Sequence, residues 1–119
     1  MPADRTIEFQ GRLHDLECCT SFRGFRCGYV RLPEGCRMDR EIEAGSYPEF
    51  DVHGGVTWCE RRLPWDPDDA TGPLWIGFDC AHAGDQAHGL PGVLRSLDYV
   101  LAECEKLAGQ IRERVGVEG

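Results

Sequence analysis

Two short stretches gather the residue types that can do chemistry. They are Asp51-Val52-His53-Gly54-Gly55-Val56-Thr57-Trp58 and, further along, Phe78-Asp79-Cys80-Ala81-His82-Ala83-Gly84-Asp85. Two of the four histidines lie in them, beside three aspartates and a cysteine. Imidazole, carboxylate and thiolate are zinc ligands, and three such ligands with a bound water make a hydrolytic centre, because zinc brings the pKa of that water to about 7. His53, His82 and Asp85 are the candidate ligands, with Cys36 as a fourth, Asp79 or Cys80 as substitutes, and Asp51 or Asp79 as base. No H-E-x-x-H or other metal motif of fixed spacing supports this. The bland alternative stands level with it: Asp51 and Asp79 cap turns, and the imidazoles donate to backbone.

Nucleophilic catalysis is a second chemistry. Cys80 with His82 or His53 and an aspartate has the residue types of a Cys-His-Asp constellation. A thiol directly after a buried strand is more often inert, so this ranks below the metal.

Binding without chemistry is a third. Trp58, Trp75, Tyr29 and Phe78 supply stacking surface, while the Gly54-Gly55 amides and Arg31 or Arg37 could meet an anion. Trp75 and Phe78 read better as core, and Trp58 only slightly so. The ligand-binding set is then Asp51, His53, Gly54, Gly55, Thr57, Trp58, Asp79, His82 and Asp85.

Composition narrows the partners. A formal charge of -8, with Arg61-Arg62 the only adjacent cations, argues against nucleic acid, which requires basic residues to displace phosphate counterions. No apolar run approaches the roughly 20 residues of a membrane span. Met1 to Gln10 has no apolar core of a signal peptide, which implies the cytoplasm. The seven cysteines are odd in number and form no C-x-x-C pair, so they read as reduced, small hydrophobic side chains. A homo-oligomer is compatible with all of this.

The elements that must position these residues follow from periodicity. The chain of 119 residues reads as a single domain, 1–119. Thr6 to Gln10 alternates as a short strand broken by Gly11. Leu13 to Phe22 and Cys27 to Leu32 read as a hairpin turning at Arg23-Gly24-Phe25. A long loop, 35–54, contains a helical turn over Met38 to Ala44. Gly55 to Arg62 is the next strand, with Val56 and Trp58 on one side, and 63–73 is turn. Leu74 to Asp79 is central and buried on both faces. If these two strands pair antiparallel, residue 55 comes near residue 79 and both histidines approach one end of the sheet. A second loop, 80–95, carries His82, Asp85 and His88.

Leu97, Val100, Leu101, Cys104, Leu107, Ala108 and Ile111 then recur at helical spacing. They predict an amphipathic helix over about 96–114, N-capped by Ser96, with Glu103, Lys106, Gln110 and Arg114 outward. The fold class is α+β: a mainly antiparallel sheet of about four to five short strands under one long C-terminal helix.

Three motifs in this order, Cys27-Gly28-Tyr29-Val30-Arg31-Leu32-Pro33-Glu34-Gly35, Asp51 to Trp58 and Trp75 to Asp85, resemble a family of small proteins encoded by bacteriophages and prophages, many in actinobacterial hosts. The resemblance runs from Cys27 to the final helix and carries no established activity. The family has Gly-His-Pro where this chain has Gly35-Cys36-Arg37. If that histidine is a ligand, Cys36 can replace it; if it is a base, this chain has lost it. The resemblance implies an accessory protein in the cytoplasm of an infected or lysogenic host. Its expected role is to bind a small ligand, nucleotide-like among the options, at the 51–58 and 78–85 segments. Sequestration of a host signal, and so antagonism of host defence, follows by analogy. The alternatives are the zinc-dependent hydrolase and a protein–protein inhibitor of a host factor that uses the acidic Asp66, Asp68 and Asp69.

Overall fold

A computed structural model describes residues 6–43, 49–66, 72–82, 84–86 and 91–115. Five strands form one antiparallel sheet. They are β1 (Thr6–Leu13), β2 (Leu16–Phe22), β3 (Arg26–Arg31), β4 (Trp58–Glu60) and β5 (Trp75–Asp79), in the order β1-β2-β3-β5-β4. A short helix, α1 (Arg37–Glu43), follows β3, and the long helix α2 (Leu97–Val115) closes the chain. The fold is α+β, with α2 packed across one sheet face, chiefly over β3. Among the described residues no helix is long and apolar enough to cross a membrane.

The first hairpin turns at His14 and Asp15, both with positive φ (51° and 66°). A two-residue turn of that hand matches the twist of paired strands. β1 therefore runs through Gly11 to Leu13 instead of stopping at Gln10, and Gly11 serves to seat the Phe9 ring, 3.0 Å from where a Cβ would stand. The β2–β3 hairpin follows the expected turn, with Gly24 at φ 85°. β4 is only three residues long. Gly55, at φ 79°, cannot continue an extended strand, so Val56 packs with the helix-side core while Trp58 faces the other way.

Strand alternation sends Cys18, Val30, Ile76 and Phe78 toward α2, where Val100, Cys104, Leu107, Ala108 and Ile111 are fully buried. Burying each large side chain contributes about 1.5–3 kcal/mol. Gly28 is what lets the helix settle: a Cβ there would lie 2.5 Å from Cys104 Sγ and 2.6 Å from the Phe78 ring. The opposite face carries Cys19, Cys27 and Tyr29, packed against Phe25, Trp58, Leu63, Trp65 and Trp75.

The polar face of α2 departs from expectation in part. Glu103 and Gln110, together with Tyr99, are half-buried against the segment 49–53, whereas Lys106 and Arg114 are exposed as expected, Arg114 reaching that segment from the surface. The Asp51 amide donates to Gln110 Oε1 (2.9 Å), whose Nε2 donates back to the Asp51 carbonyl (2.9 Å). The His53 amide donates to Glu103 Oε1 (2.8 Å), and Arg114 donates to the Glu49 carbonyl. An extended segment has unpaired amides and carbonyls, and a helix face with polar side chains every three to four residues satisfies them.

Candidate functional site

Ser96 caps α2 by accepting the Tyr99 amide (3.1 Å), which sets Tyr99 in the first turn. The strap 49–53 laid along α2 brings His53 to the same place. His53 Nδ1 is 2.7 Å from the Tyr99 hydroxyl and Nε2 is 2.7 Å from Asp85 Oδ2. The rings of His53 and Tyr99 meet edge to face at 5.4 Å. Asp85 is held at its own end by a parallel bridge to Val93. Its carboxylate also accepts Arg95 Nε (2.8 Å) and the His82 amide (3.1 Å). The Asp85 side chain is only 1 % exposed. Burial pushes its pKa up, but hydrogen bonds from His53, Arg95 and the His82 amide outweigh burial and hold it at about 2.

Proton positions follow from this. An ionised carboxylate only accepts, so His53 Nε2 carries a hydrogen toward Asp85. In the neutral imidazole Nδ1 is then an acceptor, and the Tyr99 hydroxyl must be its donor. Burial foremost, with Glu103 nearby, raises the Tyr99 pKa and keeps the phenol protonated. The hydrogen bond to Asp85 raises that of Arg95, whose guanidinium stacks over the Tyr99 ring at 5.0 Å.

His82 joins from the side, its ring 6.0 Å from that of His53. It rests on Gly54, where a Cβ would come within 2.3 Å of the imidazole. His82 Nε2 is 3.1 Å from Asp79 Oδ1, but the approach is too oblique for a hydrogen bond, and among the described residues this buried nitrogen has no hydrogen-bond partner. Asp79 Oδ1 accepts the Ala81 amide (3.1 Å) and Oδ2 accepts the Thr57 hydroxyl (2.9 Å).

Asp79 and Thr57 also border a pocket of about 280 Å3 on the sheet face away from α2. Its walls include Phe25, Tyr29, Trp58 and Trp65, with Ser21, Arg23 and Cys27 among the remaining lining. Tyr29 meets Trp58 and Trp65 edge to face at 6.3 and 5.5 Å. Trp58 is fixed by its indole N–H donating to the Arg62 carbonyl (3.0 Å) and by the Arg62 guanidinium over its ring at 5.6 Å.

The residues expected to act together thus divide. His53, His82 and Asp85 enter the polar cluster; Thr57, Trp58 and Asp79 border the aromatic pocket. Asp51 is exposed and serves the strap through its backbone. Gly54 and Gly55 form the turn after it, both at positive φ, and the Gly55 amide donates to the Val52 carbonyl (2.8 Å), which takes it away from any anion. Arg31 and Arg37 pair elsewhere, with Glu17 (2.7 Å) and Glu41 (3.8 Å).

The zinc donor set does not assemble. Among the described residues no group of three or more His, Cys, Asp or Glu stands where it could hold a metal ion. Both His53 nitrogens and both Asp85 oxygens are already hydrogen-bonded within the cluster. Cys36 caps α1, its Sγ accepting the Asp39 amide at 3.3 Å. Cys80 is buried, and burial foremost, with the Asp85 charge, pushes its thiol up to about 12, which disfavours the thiolate that a nucleophile needs. His88 lies outside the described residues.

Comparisons with protein-family models, with curated proteins and with solved structures find no match.

Arg95, Tyr99 and Glu103 escaped the sequence reading. Arg95 precedes the helix cap, and Tyr99 and Glu103 sit on the polar face of α2, where tyrosine and glutamate read as solvated. One signal was available: Tyr99 and Glu103 are four apart and continue through Lys106, Gln110 and Arg114 as a single helix face.

Proposed function

We propose that this protein binds a small, flat, ring-bearing ligand in the aromatic pocket, with Trp58 and Tyr29 as walls and Asp79 and Thr57 as the polar anchor. What supports the reading is the pocket itself: four aromatic side chains and a carboxylate line a space of about 280 Å3. That is near the lower end of ligand-pocket volumes, which run from about 300 Å3. Among the described residues Arg23 is its one cationic lining residue and Asp79 its one anionic residue. The balance favours a nucleobase or nucleoside over a polyphosphate, since a phosphate chain needs several cations or backbone donors. Asp79 accepts hydrogen bonds, which suits the ring N–H and amino groups of a base.

In a protein of the bacteriophage type that this chain resembles, such a pocket would serve to withhold a small host molecule. A protein-inhibitor role has less support. Among the described residues the exposed large hydrophobics are Ile7, Val93 and Leu94, too few for the apolar centre of a stable interface. Asp66 is engaged with the Leu63 amide (2.9 Å), while Asp68 and Asp69 lie outside the described residues.

The test is titration of a nucleobase and nucleoside panel against the protein, read by tryptophan fluorescence and calorimetry. Binding that weakens at least about tenfold in Trp58→Ala and in Asp79→Asn carries the reading, a loss equal to about 1.4 kcal/mol. Binding to no panel member, or binding indifferent to Trp58, removes it.

A further inference from the structure

The hydrogen-bonded chain Asp85–His53–Tyr99 has the layout of a nucleophile, its base and the group that orients the base. We propose that Tyr99 is a nucleophile toward small phosphodiesters, with His53 as its general base, Asp85 as the residue that holds His53 in register, and Arg95 meeting the phosphoryl oxygens.

Three observations carry this. First, the Tyr99 hydroxyl lies 2.7 Å from His53 Nδ1 while Nε2 faces the Asp85 carboxylate at 2.7 Å, so an imidazole protonated on Nε2 presents Nδ1 as the acceptor of the Tyr99 proton, within reach for transfer. Second, Tyr99 is only partly buried whereas Asp85 is buried, so the network runs from a buried carboxylate to a residue that reaches solvent. Third, Arg95 binds Asp85 through Nε alone and its side chain is 28 % exposed, which leaves its terminal N–H groups beside the Tyr99 ring for an anion. A cation held by a buried carboxylate next to a hydroxyl poised for deprotonation suits a tetrahedral anion.

The step balances without a co-reactant. The Tyr99 oxygen forms a bond to phosphorus while the bond from phosphorus to the leaving oxygen breaks, and that oxygen departs with the electron pair. The Tyr99 proton passes to His53 Nδ1, where Asp85 stabilises the resulting imidazolium. The imidazolium then gives that proton to the departed oxygen or to solvent, and the neutral His53 takes a proton from the water that attacks the tyrosyl phosphodiester and returns it to the Tyr99 oxygen as the bond from phosphorus to that oxygen breaks. The aromatic pocket is not used in this scheme, and the two readings are tested by different variants.

The experiment uses the whole chain, freed of metal with a chelator, and bis(4-nitrophenyl) phosphate as the probe. The expected result is a burst approaching one nitrophenolate per chain and a phosphoryl adduct mapped by peptide mass spectrometry to Tyr99. Tyr99→Phe should abolish the adduct. His53→Gln should slow it by about 100-fold, the scale of general-base catalysis. Should His53→Gln fail to fold, the wild-type burst in heavy water replaces it, where a slower burst supports proton transfer to His53 and an unchanged one overturns it. No burst, an adduct that persists in Tyr99→Phe, or a His53→Gln rate equal to wild type overturns the proposal. The burst is measured with no nucleobase or nucleoside present, which separates this result from the fate of the pocket.

Discussion

Asp85 and His53 lie 32 residues apart in the chain and 2.7 Å apart in space, with the carboxylate almost wholly buried. That single contact joins the loop after β5 to the strap on α2, and Arg95 and Tyr99 extend it into a four-residue network.

Removing the Asp85 carboxylate leaves Arg95 and His53 facing a buried void. Asp85→Ala should lower the unfolding free energy by about 3 kcal/mol, the low end for a broken buried pair because Arg95 is part-exposed. Denaturant melts of both proteins measure it.

The same carboxylate sets an acid limit. Its folded pKa, about 2, lies below the ordinary 3.8, so its contribution is complete above pH 4 and is lost as pH falls from 4 toward 2. The shift corresponds to roughly 2 kcal/mol. Stability curves of wild type and Asp85→Asn should therefore converge across that window; parallel curves would contradict the assignment.

Gly54 and Gly55 separate two costs that are usually confounded. Both have positive φ, 71° and 79°, but a Cβ at Gly54 strikes the His82 ring at 2.3 Å while one at Gly55 meets nothing. Gly55→Ala should cost about 1–2 kcal/mol for backbone conformation alone. Gly54→Ala should cost more and shift the His82 imidazole resonances in NMR spectra.

Gly28→Ala tests how α2 is seated. The added methyl meets Cys104 Sγ and the Phe78 ring below 3 Å, and overpacking of this kind costs about 1–3 kcal/mol. The thermal midpoint should fall, and the protection of α2 amides from hydrogen exchange should fall with it.

All seven cysteines are free, and six of them are buried. Burial raises the pKa of Cys18, Cys19, Cys27, Cys80 and Cys104. A thiol reagent should label the native protein slowly and at most at Cys59, and label all seven after unfolding. Rapid native labelling of Cys80 would restore it as a nucleophile.

The α2 helix was legible because its apolar residues recur every three to four positions and Ser96 supplies a cap; the observed bounds differ by one residue at each end. The hairpin of β2 and β3 was legible from β-rich runs bounded by turn residues, and the burial of β5 from its nearly continuous apolar run. The length of β4 was not, because Gly55 breaks it through a φ that its neighbours do not announce. Nor was the two-residue turn at His14-Asp15, since neither residue is the glycine such turns favour. Lys106 and Arg114 face solvent as expected, but Glu103 and Gln110 do so only in part, because polarity marks what a side chain can bond to and their partner is backbone brought in from the 49–53 segment.

Local physics in the chain by itself determined an α+β fold, a buried β5, an amphipathic closing helix, reduced cysteines and the two stretches where titratable residues gather. Those follow from periodicity, turn chemistry and charge, all of which act over a few neighbouring residues. Only the tertiary structure decided that His53 and Asp85 join Arg95 and Tyr99, that Thr57, Trp58 and Asp79 turn toward the aromatic pocket, and that Cys36 and Cys80 take no part. Partners far apart in sequence meet through the path of two loops and the seat of one helix on Gly28, and no local pattern records that path.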